Sequence, residues 1–126
     1  MYRCLALAMA LSGLHAAAPA QVQRNFPATA LRGEIVVVSP PEITLNGRPS
    51  RLSPGSRIRG QDNMLTMSGA IVGRRLIVNY TTDLGGSVHD VWVLRPEEVR
   101  MRPWPRTAAE AAEWIFDPVA QTWSRP

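Results

Sequence analysis

Arginine is the residue whose chemistry is easiest to name in this chain. Arg57 and Arg59 flank Ile58, so in a β-strand both side chains project from the same face. Arg74 and Arg75 follow at the start of another apolar stretch. A guanidinium group forms two parallel hydrogen bonds to a carboxylate or a phosphate. We therefore predict a ligand-binding patch of Arg57, Arg59, Arg74 and Arg75. The alternative is a solvated strand face that keeps a sheet edge from pairing with other chains.

Catalytic and metal-binding patterns have little support in the sequence. His89 is the only histidine after residue 20, and Val88 and Val91 around it are typical of a barrel strand. No serine lies in the G-x-S-x-G context of a nucleophile elbow. Cys4 is the only cysteine, so residues 21–126 have no thiol for catalysis, disulfides or metal ligation. We predict no catalytic residue, no metal site, no cofactor and no enzymatic activity.

Carboxylates are also poorly arranged for chemistry. A glycosidase holds two carboxylates across a cleft. Glu97 and Glu98 are adjacent and are predicted to cap or solvate a turn, while Glu110 and Glu113 are predicted to lie on the exposed side of a short helix.

Strand patterns dominate the middle of the chain, and they must position the arginines. Gly33–Val38 is a β-branched run. Glu42–Leu45 alternates strictly between polar and apolar residues and is followed by Asn46-Gly47, the strongest short signal for a hairpin. A second turn is predicted at residues 53–55. Two further strands are predicted at Arg75–Thr81 and Val88–Leu94.

The last part of the chain, residues 100–126, is rich in tryptophan and proline. Proline restricts the residue before it to extended backbone, so Met101–Pro105 is predicted to be extended. Thr107 and Glu110 have the spacing of a capping box that starts a helix. This helix is too short to be stable alone, so we expect it to pack on the barrel through Trp114. The tryptophans are expected to pack in the interior, and the alternative is an exposed shelf for stacking a ligand.

The first twenty residues have the pattern of a cleaved signal peptide. A positively charged start precedes the apolar stretch Cys4–Leu14, and the small residues of Ala18-Pro19-Ala20 precede Gln21. We predict cleavage between Ala20 and Gln21, and the alternative is an anchor that is never cut. Residues 21–30 are predicted to be a flexible lead-in. No later apolar run approaches the length of a membrane span, so we predict no transmembrane segment in the mature chain and a periplasmic or secreted location.

The formal charge of +4 comes entirely from arginine, without lysine. The arginines are spread along the chain among acidic residues, whereas nucleic-acid binders cluster their positive charge. Nucleic acid is therefore not expected as the partner. An envelope protein and an anionic component of the envelope both remain open.

Spacing across residues 31–99 resembles that of small exported, periplasmic bacterial proteins with an OB-like β-barrel, a group that mostly lacks assigned activities. The resemblance is carried by Gly33-x-Ile35, Ile43-x-Leu45-Asn46-Gly47, Leu52-x-x-x-x-x-Ile58, Gly73-x-x-Leu76-x-Val78 and Gly86-x-Val88-x-x-Val91. The expected fold is a mainly-β, five- to six-stranded OB-like barrel at residues 31–99, followed by a short C-terminal helix. An SH3-like barrel is the alternative.

The expected function is that of a non-enzymatic binding or adaptor module, because OB-type barrels bind ligands on one face and its loops. One alternative is a structural or interaction protein of the cell envelope that acts through its C-terminal tail. An enzyme of unknown reaction is the other alternative.

Overall fold

Five strands close into a barrel in the computed structural model, which describes residues 22–126. They are β1 (Leu31–Ser39), β2 (Glu42–Leu45), β3 (Arg48–Arg59), β4 (Leu76–Thr82) and β5 (Val88–Val93). Their order is β1-β2-β3-β5-β4, with β3 parallel to β5 and the other pairs antiparallel. The predicted mainly-β barrel is therefore confirmed, with five strands in the barrel.

Local turn chemistry explains how β2 and β3 are joined. Asn46 and Gly47 have φ angles of 53° and 80°, which are the positive values that a type I′ turn requires. The second predicted turn, at residues 53–55, does not reverse the chain, because β3 continues through it. Gly55 has a φ of 76° within a break in the ladder between Leu52 and Arg57. This irregularity bends β3 away from β2 and onto β5.

Alternating side chains fill the interior of the barrel. The 3₁₀ helix Ser68–Ile71, between β3 and β4, contributes Ile71 to it. The buried interior residues are Ile35, Val37, Ile43, Leu52, Ile58, Ile71, Leu76, Val78, Tyr80, Val88, Val91 and Val93. Closure leaves the five-stranded sheet without free edges along most of its length.

A second core covers part of the outer surface of the barrel. Helix α1 (Pro96–Val99), helix α2 (Ala108–Glu113) and the two-stranded sheet of β6 (Ile115–Asp117) and β7 (Thr122–Ser124) surround it. None of the helices in residues 22–126 is long and apolar enough to cross a membrane. The buried residues of this second core are Phe26, Ala30, Leu94, Trp104 and Trp123, with Trp92, Val99, Met101, Ala111, Trp114 and Phe116 packed against them.

The segment that leads into the barrel, predicted as a flexible lead-in at residues 21–30, has buried side chains. Phe26 is only 3% exposed and Ala30 is fully buried. The Phe26 amide donates to Oε1 of Gln121 at 2.8 Å, and Arg24 donates to the Val93 carbonyl at 2.8 Å. Arg24 and Phe26 thus contact residues that lie far away in the sequence. The predicted signal peptide, including the Ala20–Gln21 cleavage site and its anchor alternative, lies outside the described residues.

Candidate functional site

Two of the four arginines predicted to bind a ligand share one face of the barrel. Ile58 is 5% exposed and points into the interior, so Arg57 and Arg59 project outward on either side of it. The register places Arg57 level with Asp90 and Arg59 level with Trp92. The predicted common face of these two arginines is therefore present.

Arg74 and Arg75 lie elsewhere. They precede β4, and β5 separates β4 from β3. Arg59 is level with Trp92, which is level with Asn79 of β4. Arg75 precedes Asn79 by four residues, which at about 3.3 Å per residue places it roughly 13 Å away from the level of Arg59 in the direction of β4. The fold thus places the four arginines in two separate pairs.

Four other arginines converge beside the second core. Arg32 comes from β1, Arg102 and Arg106 flank the segment Pro103-Trp104-Pro105, and Arg125 follows β7. They line a pocket of about 340 Å³ whose remaining walls are Ile77, Val99, Pro103 and Trp104. We call this the arginine pocket.

Arg32 is held rigidly at the pocket by the barrel and the α1 region. Its side chain donates from Nε to Oδ1 of Asn79 at 2.9 Å and from its Nη atoms to the carbonyls of Glu98 and Val99 at 3.3 Å each. The guanidinium carbon lies 5.3 Å from the ring centroid of Trp104, within cation–π range. Arg32 is only 8% exposed, so it supplies a fixed positive charge.

Charge in the arginine pocket is poorly compensated. Burial, together with the charges of Arg102 and Arg106, lowers the pKa of Arg32 from 12.5 to about 10, against the opposing effect of Glu98. Arg32 remains protonated at neutral pH. Among the residues that the structure describes, no carboxylate lines the pocket. A group of like charges with few counter-charges favours the binding of an anion.

The three arginines from the C-terminal part are less restrained than Arg32. Arg102 donates from Nε to the Val99 carbonyl at 3.3 Å, and Arg125 lies over the ring of Trp114 at 5.1 Å. Within residues 22–126, none of Arg102, Arg106 and Arg125 forms an ion pair, and all three are exposed. Their guanidinium donors are therefore accessible to a ligand.

Glu98, which was predicted to cap or solvate a turn, does act as a cap and has a second role as well. It caps α1 by accepting the Arg95 amide at 2.8 Å, and it forms a buried ion pair with Arg24, whose Nε donates to Oε2 at 3.0 Å. Burial raises the pKa of Glu98, but the hydrogen bonds from Arg24 and from the Arg95 amide, together with their charges, outweigh it and leave the pKa below its ordinary value. This ion pair joins the lead-in segment to α1 and so supports one wall of the second core.

His89 makes one contact of chemical interest. Its Nδ1 lies 2.8 Å from Oγ of Ser53, which is buried. Asp90, the nearest carboxylate in sequence, is bonded to Thr81 instead. Within the described part of the chain, no three His, Cys, Asp or Glu side chains are grouped to hold a metal ion.

Comparison of this chain with protein-family models, with curated proteins and with solved structures gives no match.

Sequence reasoning missed the arginine pocket because its members are far apart in the chain. A local signal was nevertheless present: in the segment Arg100–Arg106, arginine alternates with methionine, proline and tryptophan. Prolines keep such a segment extended, and Trp104 has to be buried. Arginines on both sides of an anchored tryptophan must then remain near the surface of the barrel.

Proposed function

We propose that this protein is a small, non-enzymatic binding module whose ligand carries an anionic group, and that the arginine pocket holds that group. The observation that carries the proposal is the convergence of four guanidinium groups on one pocket that no described carboxylate lines. Arg32 provides a fixed charge at the pocket, and the accessible Arg102, Arg106 and Arg125 provide hydrogen bonds. Guanidinium groups suit both carboxylate and phosphate ligands.

The location of the site differs from the one proposed by analogy with the fold. OB-type barrels bind on the face of strands 2 and 3 and the adjoining loops, and Arg57 and Arg59 lie on β3. This pair faces Asp90 and Trp92 on β5, so one carboxylate already lies beside it. We place the anion in the arginine pocket because its charge is less compensated.

We also propose that the protein is exported through a signal peptide at residues 1–20 and works in the periplasm or outside the cell. The sequence pattern of that segment supports this location. The ligand would then be an anionic component of the envelope or an anionic patch on an envelope protein. Cell fractionation, with the N-terminus of the recovered protein sequenced, tests this part: a start at Gln21 is expected, and an intact leader in the cytosol would contradict it.

A second candidate function is an interaction through the C-terminal tail. Ile115 on β6 and Val119 in the following turn are 70% and 90% exposed, which favours contact with another protein. Removing residues 100–126 does not test this candidate, because Trp104 and Trp123 belong to the second core. The deletion would also remove five of the eight residues that line the arginine pocket. Substituting Ile115 and Val119 by serine tests this surface instead, because both side chains are exposed and neither belongs to the second core.

We expect Arg106→Gln to weaken anion binding about tenfold, because it removes one charge-assisted hydrogen bond without disturbing a buried contact. The measurement is isothermal titration calorimetry with two probes, inorganic pyrophosphate and citrate, at low and high ionic strength. Affinity should fall as salt is added. The matched control is Arg57→Gln, another exposed arginine that lies on β3, which should leave the affinity unchanged. Loss of binding in the Arg57 variant alone would move the site to β3, and no binding of either probe would contradict the proposal.

A further inference from the structure

The arginine pocket has more positive charge than a single carboxylate can balance. Four guanidinium groups line it, and no carboxylate in residues 22–126 does. We infer that the pocket takes a phosphate group of the phosphomonoester or diphosphate class that is attached to an organic moiety. This inference rests on the proposed function and narrows its ligand class.

Charge and shape favour phosphate over carboxylate. A carboxylate has one negative charge and two coplanar oxygens, which one guanidinium fork can satisfy. A phosphomonoester carries close to two charges at neutral pH and has three acceptor oxygens. Its oxygens point in different directions, which suits guanidinium groups such as those of Arg102, Arg106 and Arg125 that line the pocket from two separate chain segments.

The apolar part of the wall indicates that the phosphate is attached to something. Ile77 on the outer face of β4 is 45% exposed, and Val99 and Pro103 also line the pocket. A volume of about 340 Å³ is larger than one phosphate group occupies. Hydrocarbon or a sugar ring beside the phosphate would cover Ile77, and this chemistry is shared by anionic lipid headgroups and by free organic phosphates.

Bound phosphate would also link distant parts of the molecule. Arg32 belongs to the barrel, Arg106 to the segment before α2, and Arg125 to the end of the chain. A ligand that contacts all three stabilises the docked C-terminal part, because a ligand that binds only the folded state raises its stability by mass action.

Calorimetry and thermal unfolding of the full chain test the inference with pyrophosphate, inorganic phosphate, phenyl phosphate and benzoate as probes. We expect pyrophosphate and phenyl phosphate to bind at least about tenfold more tightly than benzoate, which has a single carboxylate, and to raise the unfolding temperature. Phenyl phosphate should bind more tightly than inorganic phosphate because its ring covers Ile77. Arg125→Gln should weaken both phosphates, whereas Arg48→Gln, an exposed arginine on β3 outside the pocket, should weaken neither.

The outcomes separate this inference from the proposed function. Benzoate binding as tightly as phenyl phosphate would overturn the inference and leave the anion pocket in place. No binding of any probe would overturn both. Vesicles of phosphatidylcholine with phosphatidic acid distinguish the sources: sedimentation with them that is lost in Arg125→Gln assigns a lipid headgroup. Binding of phenyl phosphate without sedimentation assigns a free organic phosphate.

Discussion

Replacing Glu98 by glutamine is expected to lower the free energy of unfolding by about 3–5 kcal/mol, because removing one partner of a buried ion pair leaves the other charge uncompensated. The Arg24 and Glu98 side chains are 4% and 7% exposed. Arg24 also donates to the Gly60 and Val93 carbonyls, so it stays in place when the carboxylate is neutralised. Urea unfolding should show a lower midpoint with an unchanged slope.

Glu97→Gln is the matched control for this prediction. Glu97 is the neighbouring residue of α1 and is exposed, so its loss should change stability by less than about 0.5 kcal/mol. Equal effects of the two substitutions would show that the ion pair has no special role.

In the double variant Arg24→Met with Glu98→Met, part of the stability lost in Glu98→Gln should return, because no unpaired buried charge remains.

The same carboxylate should give stability a pH dependence. The pKa of Glu98 is lowered below its ordinary value of 4.5 in the folded state. Its contribution is therefore complete above the unfolded-state pKa and is lost as the pH falls through the lower, folded-state pKa. Unfolding measured between neutral and acidic pH should show the difference between the native protein and Glu98→Gln shrinking in that acidic range. A constant difference would contradict the assignment.

Trp104→Ala is expected to destabilise the protein by about 3–5 kcal/mol, the range for removing a large buried aromatic ring. Trp104 is 5% exposed and contacts Phe26, Phe116 and Trp123 at centroid distances of 5.7, 5.9 and 6.1 Å. Its Nε1 donates to the Ala30 carbonyl at 3.0 Å. One substitution thus removes the ring that joins the lead-in segment to the C-terminal part.

Trp114→Ala is the control for this effect. Trp114 is only half-buried and contacts Arg125 on its face, so its removal should cost less than about 2 kcal/mol. If Trp104→Ala does not fold, Trp104→Phe keeps most of the apolar area and loses the bond to Ala30, and it should be destabilised by a smaller amount. Equal costs at Trp104 and Trp114 would contradict the central place of Trp104 in the second core.

The elements of the barrel were predictable because their signals are local. Strict alternation in Glu42–Leu45 and the positive φ required by Asn46-Gly47 define one hairpin within a few residues. Ile58 between two arginines likewise fixed which way those side chains project. Proline and glycine at positions 54 and 55 predicted a chain reversal, but a bend inside one long strand satisfies the same backbone preferences.

The second core and the arginine pocket were not predictable in the same way, because the partners are distant in the chain. Arg24 and Glu98 are 74 positions apart, and no periodicity relates them. A polar segment such as residues 22–30 has no pattern that distinguishes a packed segment from a mobile one. Arg32 in a strand and Arg125 near the end of the chain become neighbours only after the C-terminal part folds onto β1 and β4.

The arginine pocket is tested most directly by nuclear magnetic resonance of the protein labelled with ¹⁵N in its arginine side chains, titrated with pyrophosphate. The signals of Arg102, Arg106 and Arg125 are expected to shift together and to saturate, while those of Arg57 and Arg59 stay in place. Shifts confined to Arg57 and Arg59, or no shift at any arginine, would contradict the pocket as the site of anion binding.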